Sequence, residues 1–398
     1  MRIAITRETD IPDPLRLARY ERAPELGPRI LFFSGGSALR GTCRELVRYT
    51  HNSIHIITPF DSGGSSAIIR KAFAMPAVGD IRNRLMSLAD QSLKGNPEIF
   101  DLFAHRLEKD QSRKELRESL DKLATGRHPL IRRAPDPMRK ILRNHFIQFR
   151  DAMPETFDLR GASLGNLVLA AGYLANRRQL DPVIYLFSKL VEVRGVVRPA
   201  VNKNLHLAVE LADGTVIVGQ HKITGKESAP LASPIGRIWL TASLDDPEPV
   251  DVSIRDKIRK RVAEAELICF PVGSFYSSVL ANLLPAGMGR AVAANSCPKV
   301  FVPNTSADPE AIGLDVAGQV ARLLELLRRD ASDALAAPDG RLLNFVLVDS
   351  KNAQYPGGLN LKAIRSLGPG VVDCRLVSPE SFPLIDSGLL AKALVSFV

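Results

Sequence analysis

Three times in this chain of 398 residues a short apolar run ends in a Gly/Ser-rich turn, and a helical pattern follows. RILFF (Arg29 to Phe33) leads into SGGSALRG and then TCRELVRYT. SIHIITPF (Ser53 to Phe60) leads into DSGGSS and then AIIRKAF, and ELICF (Glu266 to Phe270) leads into PVGSFYSS and then VLANLL. Apolar runs this short, bounded by glycine, fit strands buried on both faces, and the helix after each supplies the crossover that parallel strands need. KVFVPN (Lys299 to Asn304) and FVLVDS (Phe345 to Ser350) add two strands, with an amphipathic helix from Asp315 to Asp330 between them. The pattern predicts an α/β fold built on a doubly wound, mostly parallel sheet.

Two segments break the rhythm. Residues 91–160 carry no strand pattern and read as an Arg- and Lys-rich helical insertion. Residues 192–240 read as an antiparallel β-hairpin insertion, in which LHLAVEL and TVIVGQHKI flank the turn Ala212-Asp213-Gly214. The expected layout is an N-terminal extension over 1–28 and a single domain over 29–398 that carries both insertions.

Composition narrows the class. Hydrophobic residues at 45% and charged residues at 24% exclude a wholly disordered chain. Cys43, Cys269, Cys297 and Cys374 are too scattered for a disulfide framework or a cysteine-rich zinc site. The longest apolar run, Leu167 to Ala175, falls well short of a membrane span, and the N-terminus lacks the apolar core of a signal peptide. A cytoplasmic protein is expected, without a membrane partner. The net charge of +10 favours an anionic ligand. Arg127 to Arg150 and Arg255 to Arg261 read as solvated faces, and the absence of interleaved aromatics or a recognition module argues against nucleic acid.

Each Gly/Ser turn falls at the carboxyl end of a core strand and at the start of a helix, the edge where open α/β sheets bind ligands. Free N–H groups, the helix dipole and serine hydroxyls there attract phosphate. Asp61 stands at the end of the second strand, where it can cap a helix, order the loop, bind a ribose hydroxyl or hold Mg²⁺ against phosphates. Asp80, in Gly79-Asp80-Ile81-Arg82-Asn83, starts another helix, with capping as its plain role. Two acids without a histidine cluster favour Mg²⁺ or Mn²⁺ over zinc. His51 and His55 straddle a strand start, and His206 and His221 are expected to be exposed neighbours on the hairpin. No Ser/His/Asp order or H-E-x-x-H supports a hydrolase.

Around these residues the motifs become specific. D-S-G-G-S-S, followed by A-F-A-M-P-A-V-G-D-I-R-N-R-L-M-S-L-A up to Ala89, resembles the D-G-G-S-S…P-G-D-I-R-N signature of the CofD/YvcK (UPF0052) family. The resemblance continues through S-L-G-N-L at Ser163, V-R-G-V-V-R-P-A at Val193 and A-D-G-T-V-I-V-G at Ala212. It ends with G-S-F-Y-S-S-V-L-A-N-L-L at Gly273 and V-F-V-P-N up to Asn304. Departures at Ala38, Val272 and Ala162 make it similar to a divergent CofD-related member, of the kind named for the GAK gene system. The family implies a Rossmann-like fold and a crevice for a nucleotide- or diphosphate-containing small molecule. It also implies either of two functions. One is Mg²⁺-dependent transfer of a phospholactyl-type group from a nucleotide-diphosphate-linked donor to an alcohol such as a deazaflavin. The other is non-catalytic UDP-sugar binding in the control of carbon or cell-wall metabolism. Carried over by position, the ligand residues are Gly35, Gly36, Ser37, Gly63, Gly64, Ser65, Ser66, Asn83, Asn166, Gly273, Ser274 and Tyr276. Asp61 and Asp80 are the implied catalytic residues, and Asp61 is the metal ligand. No tightly bound organic cofactor is expected, and a homo-oligomer is allowed.

Overall fold

Strand β1 (Ile30–Ser34) is buried along its whole length, as are β2 (Ile54–Ile57) and β7 (Leu267–Phe270). Successive side chains point to opposite faces. Ile30 and Phe32 therefore join one apolar cluster, and Leu31 and Phe33 join another on the far side of the sheet. Each such fully buried side chain contributes about 1.5–3 kcal/mol of apolar burial. The computed structural model describes residues 8–92, 95–225, 229–331 and 342–398. Residues 1–7 of the expected extension, 93–94 of the helical segment and 226–228 of the hairpin segment lie outside the described residues.

The remaining strands are β3 (Val196–Pro199), β4 (His206–Leu211), β5 (Val216–Val218), β6 (Ile235–Thr241), β8 (Lys299–Phe301), β9 (Phe345–Val348) and β10 (Gly370–Asp373). Seven of these ten strands of the described residues form one sheet in the order β10-β9-β8-β7-β1-β2-β3, and every neighbouring pair is parallel. The fold is the expected α/β class. The helices of the Arg/Lys-rich segment (Pro97–Ala104, Arg113–Thr125, Pro129–Arg133 and Met138–Ala152) pack with Leu164–Ala175 over the face that carries Phe32. A three-stranded antiparallel sheet, β5-β4-β6, covers the face that carries Phe33.

Two details differ from the sequence reading of 192–240. Val196–Pro199 is not part of the antiparallel unit but the edge strand of the large parallel sheet, paired with β2. The second arm of the hairpin also ends early. Gly219, at φ +107°, turns the chain out of β5, and Gln220–Ile223 forms a helical turn where a continuing strand was expected.

Basic residues of the two clustered stretches sit in exposed ion pairs, such as Arg139–Asp136 and Arg259–Asp256. Among the described residues no helix is long and apolar enough to cross a membrane.

Candidate functional site

The chain leaves β1 toward β2 and β3, then returns to β7 on the other side of β1 and continues outward to β10. That reversal opens a crevice beyond the carboxyl ends of β1 and β7. The turns after β1, β2 and β7 converge there on a cavity of about 230 Å³ lined by Gly35, Gly36, Ser37, Asp61, Gly63 and Asp80, with Gly273 and Ser274 from the third turn. A neighbouring cavity of about 530 Å³ shares Asp61, Gly63 and Asp80 with the first and extends over Gly64, Ser65, Ser66, Asn83 and Asn166. Thirteen of the fourteen residues expected at the site therefore line one cavity or the other. Tyr276 does not. It is buried in the core, and its hydroxyl donates to the Ile235 carbonyl at 3.2 Å, tying the third turn to the small sheet.

Helix Gly79–Ser87 is the spine of the site. Arg84, fully buried, donates to the Gly35 carbonyl at 2.8 Å and to Ser34 Oγ at 3.1 Å, so it pins the first turn from beneath. Asp80, one helical turn earlier, lies against that same turn. A Cβ placed on Gly36 would stand 2.2 Å from Asp80 Oδ1, so only glycine lets the carboxylate approach so closely. Arg82 points to the other side, donating to Ser163 Oγ and, at 2.6 Å, to Asn83 Oδ1. A Cβ on Gly165 would meet Arg82 Cδ at 2.9 Å. The G-D-I-R-N and S-L-G-N sequences are thus two halves of one contact. Burial holds the Arg82 guanidinium down to about 10, with Arg106 and Arg40 pushing the same way and Asp80 opposing them.

Neither aspartate caps a helix. The helix after the second turn, Gly64–Phe73, starts from Gly63, and Asp61 Oδ1 accepts from the Gly63 N–H at 3.1 Å. Asp80 is the second residue of its own helix, which starts from Val78. Asp80 is therefore not the cap expected of it, and of the roles open to Asp61 its bond to Gly63 matches ordering of the loop.

The three turns also differ as anion sites. Among the described residues, the N–H groups of Gly35, Gly36 and Ser37 donate to no protein acceptor, which leaves the first turn open to a ligand. In the third turn several N–H groups are already taken. Gly273 donates to Asn304 Oδ1, Phe275 to Asp308 Oδ2 and Ser277 to Glu310 Oε2, at 2.9, 2.7 and 2.7 Å. Burial, with Asp308 beside it, pushes the Glu310 carboxyl upward. Of the cavity-lining residues of that turn, Gly273 and Ser278 have their N–H groups occupied, whereas among the described residues the Ser274 N–H donates to no protein acceptor.

Sequence reasoning missed one wall entirely. Gln220, His221 and Thr224 reach the crevice from the helical turn after β5. Ser62 Oγ accepts from the His221 N–H at 3.3 Å and lies 2.8 Å from Nδ1. Ser62 thus holds both the backbone and the ring of His221. His206 is a buried neighbour rather than an exposed one. Arg70, also buried, donates to the carbonyls of Phe60 and Asp61 at 3.0 and 2.9 Å and to that of Leu205 at 2.6 Å, locking the second turn to the small sheet.

Among the described residues no group of three or more His, Cys, Asp and Glu side chains is placed to hold a metal. Two carboxylates beside serine hydroxyls are a donor set suited to Mg²⁺, which keeps several waters and takes further ligands from substrate phosphates.

A family model described as 2-phospho-L-lactate transferase CofD matches residues 30–370. The chain belongs to the CofD family. The gluconeogenesis factor of Bacillus subtilis is 30% identical over 282 residues, covering 71% of this chain and 69% of that one. A putative gluconeogenesis factor of Nostoc is 28% identical over 360 residues, covering 87% of this chain and 63% of that one. The crystal structure of a UPF0052-family protein from Bacillus halodurans superposes with a TM-score of 0.67 at 22% identity, covering 93% of this chain and 99% of that one. The likeness extends the CofD-family fold to nearly the whole chain.

Proposed function

We propose that the crevice binds a nucleoside-diphosphate-linked donor and transfers its terminal phosphoester group to an alcohol acceptor. The observation that carries this reading is the pair of cavities meeting at Asp61 and Asp80. A transferase needs two pockets that share a wall at the reacting atoms, whereas a protein that only senses a nucleotide needs one. The family description, 2-phospho-L-lactate transferase, supports the same class of reaction.

In this reading the open N–H groups of Gly35, Gly36 and Ser37 hold the diphosphate oxygens, and His221 lines the same cavity from the other side. Asp61 would hold Mg²⁺, with Asp80 as its partner; the ion would neutralise the diphosphate charge. The acceptor hydroxyl attacks the outer phosphorus. One P–O bond to the acceptor forms, the bridging P–O bond breaks, and nucleoside monophosphate leaves with the electron pair. The hydroxyl proton passes to the Asp80 carboxylate. Arg84, beneath Gly35, fixes the turn so that donor and acceptor meet in line.

The test is release of GMP or UMP from lactate esterified through its 2-hydroxyl to the outer phosphate of GDP or UDP, with a deazaflavin alcohol as acceptor. The expected result is Mg²⁺-dependent release that disappears in Asp61→Asn and Asp80→Asn. Tight binding of a UDP-sugar, with neither donor turned over, would instead establish a regulatory protein.

A further inference from the structure

The larger cavity carries a charge pattern that donor binding does not use. Its outer wall is built by Arg106, Lys109 and Arg160 from the helical segment, and its floor by Arg82 and Asn166. Arg82 is 7% exposed and Asn166 only 1%. Arg82 Nε and Asn166 Oδ1 have no hydrogen-bond partner, so the floor presents one buried donor and one buried acceptor. Among the described residues neither Arg82, Arg106 nor Lys109 forms an ion pair, although exposed arginines elsewhere on this chain do so repeatedly. Arg106 donates to the Gly161 carbonyl at 3.0 Å, which leaves its charge uncompensated, and Arg160 alone is paired, with Asp158 at 2.8 Å. Gathering cations without counter-ions costs stability unless an anion completes the set. The opposite wall holds Asp61 and Asp80, which would repel an anion, so a negative group is directed to the Arg/Lys side.

We infer that this cavity is an acceptor subsite for an alcohol that itself carries a phosphate or carboxylate. The anionic group sits on Arg82, Arg106 and Lys109, and a ligand hydroxyl donates to Asn166 Oδ1. Calling the ligand an acceptor rests on the transferase reading; the anion site itself does not.

The test is calorimetric titration of sn-glycerol 3-phosphate, L-malate and glycerol into full-length protein saturated with GDP and Mg²⁺, so that the crevice is filled. The inference expects glycerol 3-phosphate or malate to bind and glycerol not to bind, with the stronger of the two anions identifying the group. Arg106→Ala with Lys109→Ala should weaken that binding by about tenfold or more, the loss expected for two charged contacts. Arg259→Ala with Lys260→Ala removes the same charge from a distant exposed helix and should leave it within about twofold. Both are surface changes, and an unchanged melting temperature shows that each variant is folded. Failure of both anions to bind the GDP-loaded protein overturns the inference and leaves the donor site standing. So does equal weakening by the two double variants. If GDP does not bind but the anions bind through Arg106 and Lys109, the donor reading falls and the anion site remains.

Discussion

Gly36→Ala is the sharpest single perturbation of the crevice. Gly36 does not have a positive φ, so alanine there suffers no backbone penalty and any effect comes from contact. The added Cβ would lie 2.2 Å from Asp80 Oδ1, 2.7 Å from its Cγ and 2.9 Å from its Cα. Ordinary contact begins at 3.4 Å, so the carboxylate must retreat by roughly 1.2 Å. Rotation of the side chain relieves the first two contacts but not the third, so the start of helix Gly79–Ser87 must also move. Overpacking of this kind costs about 1–3 kcal/mol. A displacement of about 1 Å at a reacting group lowers turnover by about 100-fold. Urea unfolding gives the first quantity, and GMP or UMP release gives the second. Gly236→Ala, where a Cβ meets only the Glu210 carbonyl at 3.5 Å, is the control. If Gly36→Ala unfolds within about 0.5 kcal/mol of the parent and keeps its activity, Asp80 does not depend on the first turn and the reasoning fails.

Other outcomes follow from the same contacts. Arg84 serves the Gly35 carbonyl and Ser34 Oγ through one nitrogen and Cys43 Sγ through the other, so Arg84→Lys, with a single nitrogen, cannot serve both sides and should lower stability by about 1.5–3 kcal/mol in chemical denaturation. Gly165→Ala should displace Arg82 and weaken glycerol 3-phosphate binding more than GDP binding, as read by paired titrations. His206 is held neutral, its pKa lowered to about 4 by burial and by Arg70. Between about pH 4 and the ordinary histidine value of 6.5 the unfolded chain therefore binds the extra proton. Stability from this group is complete above 6.5 and is lost as pH falls toward 4. Unfolding at pH 5 and 7 should show a smaller difference in His206→Gln than in the parent.

The large sheet was legible because β1, β2 and β7 are apolar at every position but Ser34 and His55, a signature of strands covered on both faces. The first two turns were legible because glycine and serine at strand ends have few other uses. What escaped was tertiary. Gln220 and His221 looked like strand continuation, because nothing before Gly219 announces a helical turn. Arg106 and Lys109 were not singled out within the Arg- and Lys-rich helical insertion, because only the packing of that segment brings them to the cavity with Asn166. Tyr276 shares a motif with the crevice residues, but its side chain turns into the core. The third turn is less open than the first for a related reason: the acceptors that take three of its N–H groups, Asn304, Asp308 and Glu310, lie about 30 residues downstream. The helix Gly79–Ser87 was recognised as a motif, yet its role as a two-sided anchor emerged only from what Arg82 and Arg84 touch.

The central claim, that the crevice is a diphosphate site completed by a metal at Asp61 and Asp80, is tested most directly by calorimetric titration of GDP and UDP with and without Mg²⁺. The account expects saturable one-to-one binding of at least one of them, weaker without Mg²⁺ and weaker again in Asp61→Asn. Absence of binding by both nucleotides, or affinity indifferent to Mg²⁺ and to Asp61, would contradict it.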